Sequence, residues 1–291
     1  AAPINFNGLV RQYYLRAGGE VGDLQVNLVD KAQRKDQSHA IAVRERAALR
    51  AIGQRHGANV KVVEVPPGPP VLAPIVAEIY GPDADGRRAV AQQVRAVFEA
   101  TPGVVDVDDT TIVDAPRTVL VVDRRKAAQL GVSQQAIAST LRMGLSGDAA
   151  TYLHDASRFA VPAFIQLPAE LHGSLDALLQ LGVRSASGAL VPIRELVTPS
   201  NTLREQPIYH KDLLPVSFVM GDMAGQRAGE LDSPLYGMFQ MRGALAELKM
   251  PDGGRLDEYF IRQPQDPYRG YALKWDGEWQ ITYETFRDMG L

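Results

Sequence analysis

The pattern that most constrains this chain is a strand–helix–strand unit that occurs three times along the sequence. In each unit, a short stretch alternates apolar and polar residues, as a half-buried strand does, and apolar residues at helical spacing follow it. Ser38 and Ser233 stand where helix N-caps are expected, and Gly57 and Gly103 suit helix ends. The predicted elements are strand 22–29, helix 38–57 and strand 59–65; strand 74–81, helix 86–103 and strand 117–123; and strand 215–223, helix 233–250 and strand 255–262.

Units of this kind with short connections build α+β sandwiches of the ferredoxin-like type, in which two halves share one antiparallel sheet. The second and third units can complete one such sandwich across the segment between them. That segment, 124–207, changes to short helices and hairpins, so it is predicted to be an insertion. The first unit has no partner before it, because residues 1–20 are too few for a strand, a helix and another strand. The predicted fold class is therefore α+β, with ferredoxin-like βαβ subdomains, one of them incomplete, and an inserted α+β subdomain.

Composition excludes several classes of protein. The 291 residues suffice for about two domains. The absence of cysteine excludes disulfide scaffolds, thiolate metal sites and cysteine nucleophiles. The net charge of -3 argues against a nucleic-acid partner. No stretch approaches the ~20 apolar residues of a transmembrane helix, so the chain is expected to be soluble as given.

No catalytic, metal or cofactor site is predicted. The histidines form no spaced ligand pair, and Ser146 lacks the glycine pattern of a nucleophile elbow. Asp106, Asp108, Asp109 and Asp114 invite calcium, but the run lacks the glycine and terminal glutamate of an EF-hand loop. A solvated turn is the favoured interpretation of these aspartates, and the chain is not expected to be an enzyme.

Two apolar segments remain to be explained. Phe6, Leu9, Tyr13 and Tyr14 lie in a glycine-flanked stretch at 4–19 without clear periodicity. Such a stretch is either a packed connector or a mobile loop that presents these side chains to an apolar ligand.

The second apolar segment is at the C-terminal end. Trp275, Trp279, Tyr283 and Phe286 follow one helical face, as in amphipathic segments that lie at a membrane interface. The alternative is a terminal helix docked on its own domain, and Gly277 argues against a perfect helix in either case.

Several stretches together give a resemblance to a known family. They are PINFNGLVRQYYLR, VEVPPGPPVLAPIVAEIYGPD, VLVVDRRKAAQLGVSQQAIASTL, SGALVPIRELV followed by QPIYHKDLLPV, and LKWDGEWQITYETFRDMG. In their order and spacing, the chain resembles the second large periplasmic loop of resistance–nodulation–division (RND) efflux transporters, between transmembrane helices 7 and 8. Within that family it resembles the acriflavin-resistance, hydrophobe–amphiphile-like branch.

The resemblance implies a division of the chain and a location at the periplasmic face of the bacterial inner membrane. The implied segments are the later half of a first porter subdomain at 1–71, the two halves of a second at 72–118 and 208–265, a docking insertion at 119–207, and an amphipathic lead-in to a transmembrane helix at 266–291.

The resemblance also implies a function, which is proton-driven efflux of hydrophobic or amphiphilic substrates. The expected partners are the rest of a homotrimeric permease, a periplasmic adaptor protein, an outer-membrane channel and the inner membrane. No cofactor and no nucleic acid are implied. The cleft between porter subdomains would be lined by Phe6, Leu9, Tyr13, Tyr14, Ile75, Ala77, Ile79, Phe218 and Met220.

Departures from the drug pumps keep other interpretations open. Ile75 and Ala77 stand where aromatic residues are expected, and Asp108 stands near the position of a basic residue. The alternatives are a heavy-metal-type RND pump and a free-standing α+β periplasmic binding or adaptor protein.

Overall fold

Two compact units make up the fold. The computed structural model describes residues 20–64, 71–154, 156, 158–224 and 233–290. Unit 1 contains the described residues up to Ile112 and from Gln206 onward, and unit 2 is Val113–Glu205. Both units mix helices and strands, so the α+β fold class is confirmed. The finer segment boundaries stay predictions.

Unit 1 is built on one mixed sheet. Its strand order is β11-β12-β1-β10-β2, and β9 pairs with β10 outside this path. The neighbours are antiparallel except for β11 and β12, which are parallel. The elements of unit 1 are a 3-10 turn at Lys31–Gln33, α1 (Ser38–Arg55), β1 (Ile75–Tyr80), α2 (Ala84–Ala100), β2 (Val104–Asp109), β9 (Tyr209–Lys211), β10 (Leu214–Met223), α6 (Pro234–Ala246), β11 (Asp257–Tyr259), β12 (Ala272–Gly277) and α7 (Glu278–Met289).

Two strand–helix–strand units interleave in this sheet. Strand β10 lies between β1 and β2, and β1 lies between β10 and β12. The second strand–helix–strand unit therefore contributes the central strand β1 and the outer strand β2. The third contributes the central strand β10 and the outer strands β11 and β12, so the two share one sheet. The prediction that the second and third units share one sheet is confirmed by the pairing of β1 with β10.

In both of these strand–helix–strand units, the last strand differs from the predicted one. Strand β2 completes the second strand–helix–strand unit, whereas the predicted closing strand at 117–123 overlaps strand β3 (Pro116–Val122) of unit 2. In the third unit the predicted strand at 255–262 forms only β11, at the sheet edge, and β12 occupies the position beside β1. Strand β12 has the stronger apolar face, because Leu273 and Trp275 are buried in the core.

Helices α2 and α6 cover one face of the sheet and bury the larger core. The fully buried residues of this core include Val90, Val94 and Phe98 of α2 and Met238 and Met241 of α6. A second cluster, on the opposite face, is formed by Val76, Tyr80, Val216, Phe218, Met220, Ala73 and Ala272. The sheet is therefore apolar on both faces.

The two strands predicted for the first strand–helix–strand unit of the sequence are wrong. Helix α1 forms as predicted, but residues 22–29 and 59–64 pair with no strand among the described residues. A strand needs a neighbour for its backbone groups, and alternation in the sequence does not supply one. Leu24 and Val26 are accordingly 95% and 77% exposed.

The described residues of unit 2 form three separate two-stranded ladders and one small core. The ladders are β3–β8, β4–β5 and β6–β7, all antiparallel. Ile137, Ile193 and Leu196 are fully buried at the centre of the core. The elements of unit 2 are β3 (Pro116–Val122), α3 (Arg124–Gln129), α4 (Gln134–Ser146), β4 (Asp148–Leu153), β5 (Val161–Ile165), a 3-10 turn at Ala169–Leu171, α5 (Leu175–Gln180), β6 (Gly182–Arg184), β7 (Leu190–Pro192), a 3-10 turn at Ile193–Glu195 and β8 (Val197–Leu203).

Candidate functional site

The predicted cleft residues fall into three groups, of which the first cannot be placed. Phe6, Leu9, Tyr13 and Tyr14 lie outside the described residues. Their part in ligand binding stays a prediction.

Ile75, Ala77 and Ile79 of β1 lie in the core between the sheet and its helices. Each is at most 1% exposed, and all three belong to the cluster that α2 and α6 cover. Because side chains alternate along a strand, these three share one face and Val76 and Tyr80 share the other. Helices of the same unit cover Ile75, Ala77 and Ile79, and their place in a ligand cleft stays a prediction.

Phe218 and Met220 of β10 lie on the opposite face of the sheet. Met220 pairs with Val76, and the Phe218 ring makes an edge contact with Tyr209, with ring centroids 6.3 Å apart. The backbone of Phe218 is fixed by Thr110, whose hydroxyl accepts from the Phe218 amide at 3.0 Å. The structure thus separates the predicted residues of β1 from those of β10.

Four charged residues share this second face, and the sequence analysis missed them. Glu78 lies directly between Phe218 of β10 and Lys274 of β12 in the sheet register. The Lys211 ammonium binds the carboxylates of both Glu78 and Asp276, and the Lys274 ammonium lies 3.4 Å from Glu78 Oε2. The available signal was a lone charge within each of two apolar runs, IVAEIY and ALKW.

Burial sets the electrostatics of this group, which we call the sheet charge cluster (Glu78, Lys211, Lys274 and Asp276). Burial raises the pKa of Glu78, and a hydrogen bond shared with Asp276 raises it further, against the two lysines. Burial also opposes ionisation of Asp276, but its hydrogen bonds to Glu78 and Lys211 outweigh this and lower its pKa. A proton that enters this pair of carboxylates therefore resides on Glu78.

Three of the four aspartates interpreted as a solvated turn lie in strand β2 instead, whereas Asp114 is exposed and lies outside any strand. Asp106, Asp108 and Asp109 are buried, because the backbone of this run pairs with β10. Arg95 Nη1 lies 2.9 Å from Asp109 Oδ2, and Arg46 and Lys61 bind Asp106 and Asp108 respectively. These three carboxylates are matched by cations of the chain itself, so the turn interpretation is wrong for them.

The four aromatic residues near the C-terminal end do not share one helix. Trp275 lies in β12, fully buried, stacked on Phe98 and donating from Nε1 to Glu258 Oε1 at 2.6 Å. The core of unit 1 therefore encloses Trp275, and a membrane-interface role for it stays a prediction.

The other three aromatic residues lie on α7. Trp279 is half-buried against Phe260, whereas Tyr283 and Phe286 are exposed. Their membrane-interface role stays a prediction. Within the described parts of the chain, no helix is both long enough and apolar enough to cross a bilayer.

The described residues offer no candidate metal site. Across residues 20–290, apart from the gaps given above, no three His, Cys, Asp or Glu side chains are grouped so that they would hold a metal ion. The carboxylates of the sheet charge cluster and of β2 instead contact lysine and arginine.

Comparison with known proteins identifies the family. A family model described as the AcrB/AcrD/AcrF family matches residues 4–257. The chain belongs to the AcrB/AcrD/AcrF family of RND permeases.

The curated relatives of this family member are metal-resistance proteins. It is 31% identical over 132 residues to the nickel and cobalt resistance protein CnrA of Cupriavidus metallidurans, a match covering 44% of this chain and 12% of CnrA. It is 29% identical over 132 residues to the nickel-cobalt-cadmium resistance protein NccA of Alcaligenes xylosoxydans xylosoxydans, with the same coverage. The chain thus matches about an eighth of the length of these relatives.

Solved structures show the same fold. Two crystal forms of a heavy metal efflux pump superpose on the chain with a TM-score of 0.52, at 16% and 17% sequence identity. Each superposition covers 75% of this chain, and 20% or 21% of the pump chain. The resemblance to RND permeases is confirmed at the level of the family, but the acriflavin-resistance branch is not supported, since the named relatives are metal-resistance proteins.

Proposed function

We propose that the chain is the periplasmic porter and docking region of a proton-driven RND efflux permease. The observation that carries this proposal is the family match over residues 4–257, in a chain that matches only 12% of CnrA. The interleaved sheet of unit 1 would be a ferredoxin-like porter subdomain, and unit 2 the docking insertion. The chain would act by binding and conformational change, without catalysis.

The rest of the proposal concerns location and partners. The complete protein would lie in the bacterial inner membrane as a homotrimer, with this region on the periplasmic side. An adaptor protein and an outer-membrane channel would receive the substrate. Helix α7 would lead toward a membrane helix, with Tyr283 and Phe286 exposed on its surface.

Two substrate classes have specific support. Similarity to CnrA and NccA favours divalent transition-metal cations, which is the first candidate. The apolar cluster around Phe218 favours hydrophobic or amphiphilic organic compounds, which is the second.

A susceptibility experiment tests the function and separates the two classes. The gene that encodes this chain is deleted, and growth is measured with nickel, cobalt and cadmium salts and with a panel of hydrophobic dyes. We expect increased sensitivity to one class, reversed by the intact gene on a plasmid. Unchanged sensitivity of the deletion strain to every compound, when the parent strain is shown to express the protein, would contradict the efflux function.

The organic-substrate candidate has its own test at Phe218. We expect an environment-sensitive hydrophobic dye to bind the complete transporter and to bind at least about fivefold more weakly after Phe218→Ala, since a buried aromatic contact is worth about 1 kcal/mol or more. Phe239→Ala is the matched control, because Phe239 is exposed on α6 and not part of the Phe218 cluster. Equal dye binding in the two variants would remove Phe218 from the pocket.

A further inference from the structure

Lys274 is a buried lysine in the middle of a core strand. It stands between Leu273 and Trp275 in β12 and is 2% exposed. An ammonium group is withdrawn from water only where several acceptors replace the lost hydration. The position of those acceptors therefore indicates what the residue holds together.

The acceptors around Lys274 belong to two different elements. Its Nζ lies 3.4 Å from Glu78 Oε2 on β1 and 3.1 Å from Gln280 Oε1 on α7, with the Trp275 carbonyl oxygen at 3.5 Å. Gln280 in turn donates to Glu284 Oε1 at 2.9 Å. One ammonium group thus connects the centre of the sheet with the first turns of α7.

The backbone connection between β12 and α7 adds a second restraint. Strand β12 ends at Gly277 and α7 begins at Glu278, so no linker separates them. The Glu278 amide donates to the Pro74 carbonyl at 3.1 Å, directly before β1. Gly277 has φ +105°, and a Cβ there would stand 2.5 Å from the Pro74 oxygen, so only glycine fits.

We propose that Lys274 is a positioning residue that fixes the orientation of α7 relative to the sheet, so that β1, β12 and α7 move as one body. Lys274 forms an ion pair with Glu78 of the sheet and donates a hydrogen bond to Gln280 of the helix. The backbone contact of Glu278 with Pro74 limits rotation at the junction.

Distance measurements between two spin labels test this role directly. The chain contains no cysteine, so Gln92→Cys on α2 and Arg287→Cys on α7 give one label on each exposed helix surface. We expect a narrow distance distribution in this labelled chain. Lys274→Met should widen the distribution about twofold, because it removes the side-chain link between sheet and helix.

A second variant keeps the test decisive if Lys274→Met does not fold. Gln280→Leu leaves Lys274 and Glu78 in place and removes the acceptor on the helix, together with the Gln280–Glu284 hydrogen bond within α7. It should widen the distribution with little change in melting temperature. Gln280→Glu retains an acceptor and should keep the distribution narrow. Lys249→Met, at an exposed lysine, is the matched control for charge removal.

The outcomes separate positioning from stability. A wider distribution in Gln280→Leu, a narrow one in Gln280→Glu and no change in Lys249→Met support the proposal. A distribution in Gln280→Leu as narrow as in the unsubstituted labelled chain overturns it. Widening of the same size in Lys249→Met also overturns it, because the effect would then not depend on the Lys274 contacts.

Discussion

Unit 1 and unit 2 use strands in opposite ways. Unit 1 joins six strands in one sheet with apolar clusters on both faces, and its central strands carry buried charges that are matched across the sheet. Unit 2 divides six strands among three ladders, and its β4–β5 ladder exposes Tyr152, Leu153, Phe164 and Ile165. Stability in unit 1 therefore depends on enclosed side chains, whereas much of the apolar surface of unit 2 stays open.

The comparison predicts where substitutions of similar chemistry have different effects. An aromatic residue, a glutamate and a helix cap occur in both units, and each pair differs in burial or in titration. The predictions below use these pairs.

The largest difference in lost unfolding free energy is expected between the aromatic residues Trp275 of unit 1 and Phe164 of unit 2. Trp275→Ala should reduce the free energy of unfolding by about 4 kcal/mol, because it leaves a large cavity beside Phe98 and leaves Glu258 without the indole donor. Phe164→Ala in β5, where the side chain is 56% exposed, should change it by less than about 1 kcal/mol. Chemical denaturation of each variant measures the difference, and equal losses would contradict the contrast between the units.

The glutamate pair should show a smaller but clear difference. Glu78→Ala should cost about 3 kcal/mol, because it leaves the Lys274 ammonium buried without its carboxylate partner. Glu195→Ala in unit 2 removes the partner of Lys126 at an exposed site, so no measurable loss is expected. Denaturation curves at one pH and ionic strength make the comparison, and a loss at Glu195 as large as that at Glu78 would contradict it.

The smallest difference in lost stability is expected between the helix caps Asp83 of unit 1 and Ser133 of unit 2. This difference depends on pH. Asp83 caps α2 through the Gly86 amide, and that hydrogen bond is the main reason that its pKa is lowered. Its contribution to stability is therefore present above the pKa of the unfolded chain and is lost as the pH falls through the lowered pKa of the folded chain. The loss caused by Asp83→Asn should accordingly shrink as the pH falls.

Ser133 is the control for this pH dependence. It caps α4 through the Ala136 amide at 3.1 Å and does not titrate. Ser133→Ala should cost about 1 kcal/mol at every pH at which the chain is folded. Thermal unfolding between neutral and acidic pH measures both variants, and a parallel pH dependence would contradict the assignment to Asp83.

Helices and central strands were predictable, because their signals lie within one element. Helix α6 begins after the predicted cap Ser233, β1 lies within its predicted strand, and β10 begins one residue before its predicted strand. The side of the sheet on which a residue lies was not predictable, since alternation gives two faces without saying which one the helices cover. Ile79 and Phe218 were therefore placed together, although they lie on opposite faces.

Strand β12 was missed for a different reason. The spacing of Trp275, Trp279 and Tyr283 matches a helical face, but Trp275 belongs to a strand that alternates with Lys274 and Asp276. Charged residues at alternating positions normally indicate a solvent-exposed face. Here Lys274 and Asp276 contact Glu78 and Lys211, which come from distant parts of the chain. The local sequence around β12 does not indicate these long-range ion pairs.

The interleaved sheet of unit 1 has a consequence for how the chain is made. Strand β1 ends at Tyr80, but its two neighbours are β10, which begins at Leu214, and β12, which begins at Ala272. During synthesis, both edges of β1 stay without their partners until the whole of unit 2 has left the ribosome. Contacts so distant in sequence fold slowly and expose apolar strand edges in the meantime. Unit 2 is therefore placed to fold first, and the yield of soluble protein is expected to depend on how quickly the later strands reach β1.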